Sequence, residues 1–120
     1  MAKWQIDAML DAALNYISTN ATEMYVCTAQ PATRAAAIST KLAGPATPSF
    51  QAIANGDASG RKLIVDAEPD IAITASGDAT HIALCSGTDL LYVTTCTTQT
   101  LGSGGTVTVP TWDIEIADAS

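Results

Sequence analysis

Apolar side chains recur at helical spacing near the beginning of the chain, between residues 3 and 19. Asp7 and Asp11 lie on the opposite side and toward the start, where the helix dipole favours negative charge. Asn20 follows the pattern, and asparagine tolerates the left-handed conformation that ends many helices. The spacing predicts an amphipathic helix over residues 3–19. One stripe of it is expected to pack on the rest of the protein or on a partner subunit: Ile6, Leu10, Leu14 and Ile17.

A second pattern, in which apolar residues alternate with small or polar ones, runs from residue 61 to residue 117. It divides into six segments of strand length: RKLIVDA, DIAITAS, THIALC, LLYVTT, GTVTV and WDIEIA. Ser86-Gly87-Thr88 and Gly102-Ser103-Gly104-Gly105 have the composition of turns between strands. Short strands joined by tight turns predict a mainly β (α+β) fold, an antiparallel β-sandwich or small barrel with an N-terminal amphipathic helix. The expected core is Ile73, Ile82, Leu84, Leu91, Val93, Val107, Trp112 and Ile114.

The alternation slips phase near the end of this region. Val107 and Val109 share one face, and the pattern resumes three residues later at Trp112, with Pro110 at the slip. Proline cannot donate a hydrogen bond to a strand ladder. A bulge or an edge position is therefore predicted at Pro110.

The segment between the helix and the alternating region is less regular. Residues 24–28, MYVCT, predict a short strand. Residues 31–60 are punctuated by prolines and glycines around a weakly helical AAAISTKLA, and they predict a loop-rich arm that packs against a neighbouring subunit. A length of 120 residues predicts a single domain, 1–120, with residues 61–117 as its β core.

Charge narrows the choice of partners. Five Lys and Arg stand against twelve Asp and Glu, which gives a net charge of −7. Such a protein repels phosphates and anionic lipids, so neither nucleic acid nor membrane is expected as a partner. The first residues lack the features of a signal peptide, which predicts synthesis in the cytoplasm. The core is rich in alanine and poor in aromatic residues, so part of the stability is expected to come from a homo-oligomer.

Few residues could carry out a reaction. The single histidine, His81, lies in a predicted strand, and Cys85 on the same face is about 13 Å further along, too far for a catalytic pair. Asp66, Glu68 and Asp70 lack the spacing of a calcium-binding loop and predict a solvated turn. The sequence therefore predicts a protein with no enzymatic activity, no cofactor and no metal site.

The three cysteines have no CxxC spacing and predict buried, reduced thiols. If Ser86 to Thr88 form the hairpin loop, Cys85 faces Asp89 and Cys96 faces Asp78. The two sulfurs would then lie about 20 Å apart, beyond the reach of a disulfide.

Three segments carry a resemblance to a known group of proteins. LDAALNYISTNATEMYVCTAQPAT contains a short helix, a polar link, a strand and a proline turn, and GDASGRKL has the form of a turn before central strands. Ala79–Ala117 joins a strand with a glycine turn, an LLYV strand, a Thr-rich link, a second glycine turn and a final WDIEI strand. This arrangement resembles small virion proteins of tailed bacteriophages, and most of all capsid decoration (cement) proteins.

The resemblance implies a structural protein that binds the outer capsid surface as an oligomer, expected to be a trimer, and stabilises the shell. Its partners would be other copies of itself and the major capsid protein. Its location would be the capsid exterior of the virion, after synthesis in the bacterial host cytoplasm. Two alternatives stay open: a tail or fibre component that binds a host surface, and a component of the head–tail junction.

Cations are scarce on this acidic chain, so they are the natural partners of acidic patches on a capsid. Four of them lie in or beside the irregular segment and are the candidate capsid or subunit contacts: Arg34, Lys41, Arg61 and Lys62.

Overall fold

The computed structural model describes residues 6–57 and 59–117. In these ranges it contains two helices, α1 (Asp7–Asn20) and α2 (Arg34–Thr40). The strands are β1 (Glu23–Cys27), β2 (Lys41–Ala46), β3 (Ala54–Asn55), β4 (Arg61–Val65), β5 (Glu68–Ala72), β6 (Gly77–Cys85), β7 (Leu90–Leu101), β8 (Thr106–Val109) and β9 (Trp112–Ile116). The predicted mainly β fold with antiparallel strands and an N-terminal helix is confirmed. All six segments predicted as strands between residues 61 and 117 form strands, and residues 24–28 correspond to β1.

The strands form three antiparallel sheets. Their orders are β2-β1-β6-β7, β3-β4-β9 and β5-β8. Single bridges between Ala43 and Ile73 and between Phe50 and Val65 tie the strands to neighbouring segments. This arrangement is compatible with a small sandwich.

The four-stranded sheet is covered on both faces at its centre. Met24 pairs with Leu84, and both side chains belong to the main core between the sheets. The alternate residues Tyr25 and Ala83 face the other way and pack with Ala37 of α2 in a second, smaller cluster. Burial on both faces is the reason that β1 and the end of β6 are continuous apolar runs rather than alternating ones.

Helix α1 is attached to the sheets by one side. Leu14 is fully buried, Leu10 is nearly so and Ile17 packs against the main core, as predicted, whereas Ile6 is 56% exposed. Asn20 does not end the helix through a left-handed conformation: it is the last helical residue, and its side-chain amide donates to the Tyr16 carbonyl. The predicted residues 3–5 lie outside the described residues.

The predicted core is correct for its centre and too large at its edges. Ile73, Ile82, Leu84 and Ile114 are buried. The other four are only partly buried at the margin of the sheets: Leu91, Val93, Val107 and Trp112.

The prediction of a loop-rich arm over residues 31–60 was wrong for its first half. Residues 34–40 form α2, where the Thr33 hydroxyl accepts a hydrogen bond from the Ala36 amide and caps the helix start. Residues 41–46 form β2, which pairs with β1 at the edge of the four-stranded sheet. Ordered pairing to β1 within the same chain supplies the contacts that were expected from a neighbouring subunit.

Gly44 makes this irregular edge strand feasible. Its φ of +107° lies in the region that favours glycine, and an added Cβ would fall 2.6 Å from the Met24 carbonyl oxygen. The register between β1 and β2 shifts on both sides of Val26. Strand β2 therefore follows β1 through bulges, and its glycine and proline are part of the strand.

Two local predictions also need correction. Pro110 lies at neither a bulge nor an edge: it separates β8, which pairs with β5, from β9, which pairs with β4. The turn predicted at Gly102–Gly105 is present and joins β7 to β8, which belong to different sheets. Glu68 and Asp70 belong to β5 rather than to a turn, and Asp70 has a positive φ of 56° beside a bulge.

The described part of the molecule is elongated, with principal extents of 51 × 26 × 26 Å. None of its helices has both the length and the apolar character that a membrane crossing requires.

Candidate interaction surface

Arg34 connects three elements. Its Nε and Nη2 atoms each lie 2.9 Å from a carboxylate oxygen of Glu23, and Nε also donates to the Ser86 carbonyl at 3.1 Å. The hydrogen bond from Arg34 lowers the pKa of Glu23, and this effect outweighs the opposing effect of burial. Arg34 therefore ties the start of α2 to β1 and to the β6–β7 loop.

Arg61 has a similar role between α1 and the three-stranded sheet. Its Nε donates to Asp11 of α1 at 2.8 Å, and its Nη1 donates to Asn55 of β3 at 2.7 Å. The hydrogen bond to Asp11 raises the pKa of the Arg61 guanidinium. This contact holds α1 against β4, beside the buried Leu14.

The two lysines also have partners within the chain. Lys62 Nζ lies 2.7 Å from Asp57 and 3.9 Å from Asp113. Lys41 Nζ donates to the Gly44 carbonyl at 3.2 Å. The four predicted contact cations thus do not form one basic patch: Arg34 begins α2, Lys41 follows its end, and the other two lie in β4. Each is already engaged inside the molecule. Their role as capsid contacts stays a prediction.

Lys62 lies against a group of carboxylates that sequence spacing did not reveal. Oxygen atoms of Asp57, Asp113 and Glu115 lie within 4.8 Å of one another, a spacing that a metal ion could use. The Asp57 amide also donates to the Glu115 carboxylate. Because the Lys62 ammonium already provides a positive charge to this group, the arrangement has a structural explanation as an internal salt-bridge network.

Cys27 lies directly opposite His81 across β1 and β6, a pairing that no sequence spacing indicated. The Cys27 thiol is fully buried, lies 3.7 Å from the Ala37 carbonyl and has a pKa raised by burial. His81 Nδ1 lies 2.8 Å from the Thr80 hydroxyl. A buried, protonated thiol is a poor nucleophile, so this pair is suited to packing rather than to catalysis.

The predicted register of the β6–β7 hairpin was wrong. Cys85 faces Leu90 rather than Asp89, because the loop between β6 and β7 contains Asp89 as well as the three predicted residues. Asp78 faces Thr100 rather than Cys96, because two bulges add further residues to β7. Cys85 packs in the cluster under α2, whereas Cys96 packs against the main core on the other side of the sheet. All three cysteines are free. Burial raises the pKa of Cys85 to about 11.

Exposed apolar side chains are concentrated on α1. The large apolar residues that are exposed in the described part of the chain are Ile6, Met9, Tyr16 and Ile38. The first three, together with the exposed Ala13, follow an i, i+3, i+7, i+10 spacing along one side of the helix. We call these four residues the α1 stripe. It lies beside the buried stripe, and its three large side chains are more than half exposed. Tyr16, at its end, borders a groove with Arg34 and the β6–β7 loop.

Strand β7 offers a second unpartnered feature. It is twelve residues long, forms the outer edge of the four-stranded sheet, and has the sequence LLYVTTCTTQTL, without a charged residue. Thr95 and residues 97–100 are exposed. The inner side of the strand borders an open groove of about 670 Å³ between the sheets, where Trp112 stacks on Tyr92 at 6.1 Å.

No protein-family model, curated protein or solved structure matches the chain. The functional assignment therefore rests on the surfaces described above.

Proposed function

We propose that the protein is a non-enzymatic structural component of a bacteriophage particle, which binds the outer capsid surface as an oligomer and stabilises the shell. The observation that carries this proposal is the α1 stripe. Ile6, Met9 and Tyr16 are each more than half exposed, at 56%, 60% and 59%, on one side of a helix whose other side is anchored in the core. A contiguous apolar stripe on such a small acidic protein is typical of a protein–protein contact.

The distribution of polar groups supports the same conclusion. In the described ranges, the arginines and the β4 lysine pair with carboxylates, and Cys27 and Cys85 are buried. These groups hold elements together and do not converge on a cleft with a nucleophile and a base. Together with the resemblance of the strand and turn sequence to cement proteins, this favours assembly over catalysis.

The proposal assigns the capsid contact to the α1 stripe. It is tested with Met9→Glu combined with Tyr16→Glu, in cosedimentation with capsids of the phage that encodes the protein, assembled without it. The matched control is Ala8→Glu combined with Asn15→Glu, which adds the same charge with the same seven-residue spacing at exposed positions of α1 outside the stripe. The stripe variant should lose binding, and the control should keep it and should still raise the resistance of the shell to heat or chelation.

The earlier candidates are tested in the same assay. Arg34→Glu would also break the contact to Glu23, so Lys41→Glu, which removes one hydrogen bond to the Gly44 carbonyl of β2, is the cleaner charge reversal. Full occupancy of the shell by the Lys41 variant would remove that cation from the capsid contact.

Copy number separates the proposal from its alternatives. Hundreds of copies per virion indicate shell decoration, whereas about a dozen or fewer indicate a tail, fibre or head–tail junction. Finding the protein only on tails would overturn the capsid assignment.

A further inference from the structure

We propose that the open groove between β7 and β9 is a binding site for a neutral oligosaccharide. The groove has a volume of about 670 Å³, within the range of roughly 300–1,000 Å³ that is common for small-molecule sites. A smaller cavity of about 200 Å³ continues it toward the main core, where Val26, Ile82 and Val109 supply apolar walls. The site therefore combines a surface opening with an apolar interior.

A bulge in β7 shapes one wall of the groove. A regular strand turns successive residues to opposite faces. Cys96 and Thr97 are neighbours in the sequence, yet both line the groove and the cavity behind it, at the point where the register with β6 shifts between Thr95 and Gln99. Bulges are frequent beside binding and active sites, where they redirect side chains. The irregularity that disrupts strand pairing along this edge thus adds a hydroxyl group to the groove.

The polar groups of the groove are uncharged or paired. The hydroxyls of three exposed threonines that line it have no hydrogen-bond partner among the described residues: Thr95, Thr97 and Thr111. The two charged residues of the groove, Lys62 and Asp113, lie 3.9 Å apart and offset each other. A threonine hydroxyl both donates and accepts hydrogen bonds. The groove therefore offers free donors and acceptors without a net charge.

Trp112 supplies an aromatic wall. Its ring borders the groove and stacks on Tyr92. Within the described part of the chain, its Nε1 atom is the buried side-chain nitrogen or oxygen without a hydrogen-bond partner. Buried polar groups are nearly always hydrogen-bonded, so this donor calls for an acceptor. A ligand hydroxyl is a suitable acceptor, and it reaches Nε1 when the indole turns toward the groove.

These features fit a saccharide better than other ligands. A pyranose ring has apolar C–H faces that pack on aromatic and aliphatic side chains, and hydroxyls at its edge that donate and accept hydrogen bonds. A purely apolar ligand would bury the threonine hydroxyls without partners, which costs free energy. An anion would be repelled by a protein of net charge −7, and a cation would compete with Lys62 for Asp113. An extended peptide pairs with a regular strand edge, whereas β7 is bulged at the groove.

Strand β4 separates the groove from α1. Arg61 contacts Asp11 of α1, whereas the next residue, Lys62, lines the groove. Because successive strand residues point to opposite faces, the groove and α1 lie on opposite sides of β4. A protein that contacts a capsid through the α1 stripe keeps the groove free for a saccharide. The saccharide site thus adds to the proposed function and is tested without capsids.

Cys96 provides the readout, because it borders the groove while Cys27 and Cys85 are buried. The native protein is alkylated with N-ethylmaleimide in the presence of neutral trisaccharides of glucose, galactose, mannose or N-acetylglucosamine, and mass spectrometry of the peptides follows Cys96. A bound saccharide should slow the alkylation of Cys96 about fourfold when its concentration is about three times its Kd.

The variant Thr95→Val combined with Thr97→Val removes two groove hydroxyls and keeps the β-branched shape. The control, Thr98→Val combined with Thr106→Val, makes the same change at exposed strand positions that do not line the groove. The groove variant should raise the Kd roughly tenfold or more, because each hydrogen bond contributes about 1 kcal/mol, and the control should leave the Kd unchanged. Thermal unfolding confirms the fold of both variants.

Two results would overturn the proposal: alkylation of Cys96 that no trisaccharide slows, or equal saccharide protection of the groove variant and the wild-type protein. Protection by an uncharged, end-blocked peptide of sequence TVT and by none of the saccharides would overturn it in favour of a peptide ligand. Cosedimentation with capsids is measured separately, so a failure of the saccharide site leaves the proposed function intact.

Discussion

Replacing Leu14 with alanine should destabilise the protein because this side chain anchors α1. Leu14 is 0% exposed and lies in the main core, whereas Met9 on the same helix is 60% exposed. The substitution removes roughly three buried carbon groups, each worth about 0.8 kcal/mol, and leaves a cavity in addition. Leucine-to-alanine changes in cores cost about 2–5 kcal/mol. Helix α1 lies on the outside of the sheets and can settle partly into the space, so we expect a loss of about 3 kcal/mol.

The assay is equilibrium unfolding in urea, followed by circular dichroism, with thermal unfolding in parallel. A loss of about 3 kcal/mol corresponds to a fall in Tm of roughly 10 °C for a protein of this size. Met9→Ala is the matched control: it lies on the same helix, five residues before Leu14, and should change stability by less than about 0.5 kcal/mol, as is usual for exposed positions. Equal effects of the two substitutions, or a nearly neutral Leu14→Ala, would show that α1 is not anchored by its buried side.

Three further predictions concern the turn before β4, the thiols and the stability at acid pH. Gly60→Ala should lower the Tm clearly, because Gly60 has a φ of +73° and an added Cβ would overlap the backbone of the last strand; circular dichroism melting gives the shift. Cys96 should react with a thiol reagent before Cys85 in the native protein at pH 8, because Cys85 is buried and Cys96 is only partly so. The free energy of unfolding should fall as the pH rises from 9.0 through about 11, because burial raises the pKa of Cys85 and the Cys85 thiol therefore loses its proton at a lower pH in the unfolded chain. Arg34→Gln should make the free energy of unfolding, measured by urea titration, less dependent on pH at acid pH. Arg34 lowers the pKa of Glu23 below 4.5, so their contact stabilises the fold above that pH and is lost as the pH falls through the lowered pKa.

The alternation of residues 61–117 was sufficient to locate strands, because a side-chain period of two is a local property of the sequence. It was not sufficient to fix the register. The β6–β7 hairpin contains two bulges in β7, one beside Cys85 that adds one residue and one near Cys96 that adds two, and alternation reveals neither. The partners of both cysteines were therefore assigned wrongly, although the conclusion that the two thiols lie apart agrees with their burial on opposite sides of the sheet.

Residues 34–46 were harder to predict because glycine and proline usually interrupt regular structure. Thr33 is a suitable N-cap, and its position before an alanine-rich run was a usable signal for α2. Strand β2 had no such signal, since Gly44 and Pro45 lie within it and it is stabilised by pairing to β1. Tertiary pairing overrides local preference in such segments.

The candidate contacts show the limit of an argument from composition. On a chain with five cations, each cation looks available for an external partner. The carboxylates that occupy Arg34 and Arg61 come from residues 11 and 50 positions away in the sequence, so the pairing depends on the fold. The exposure of Met9 and Tyr16 was equally hidden, because the sequence shows an apolar helix arc but does not show which part of the arc the sheets cover.

The elongated shape affects how the size of the protein is measured. With extents of 51 × 26 × 26 Å, its axial ratio is 51/26, or about 2, and its Cα radius of gyration of 15.2 Å exceeds the roughly 13.6 Å expected for a compact chain of this length. An elongated particle experiences more friction than a sphere of equal mass and leaves a gel-filtration column early. A monomer would therefore elute at an apparent mass above its true 12.3 kDa, in the direction of a dimer. Two such particles joined end to end would be more elongated still, and their apparent mass would exceed the true mass by more. Elution volume alone would therefore overestimate the number of subunits.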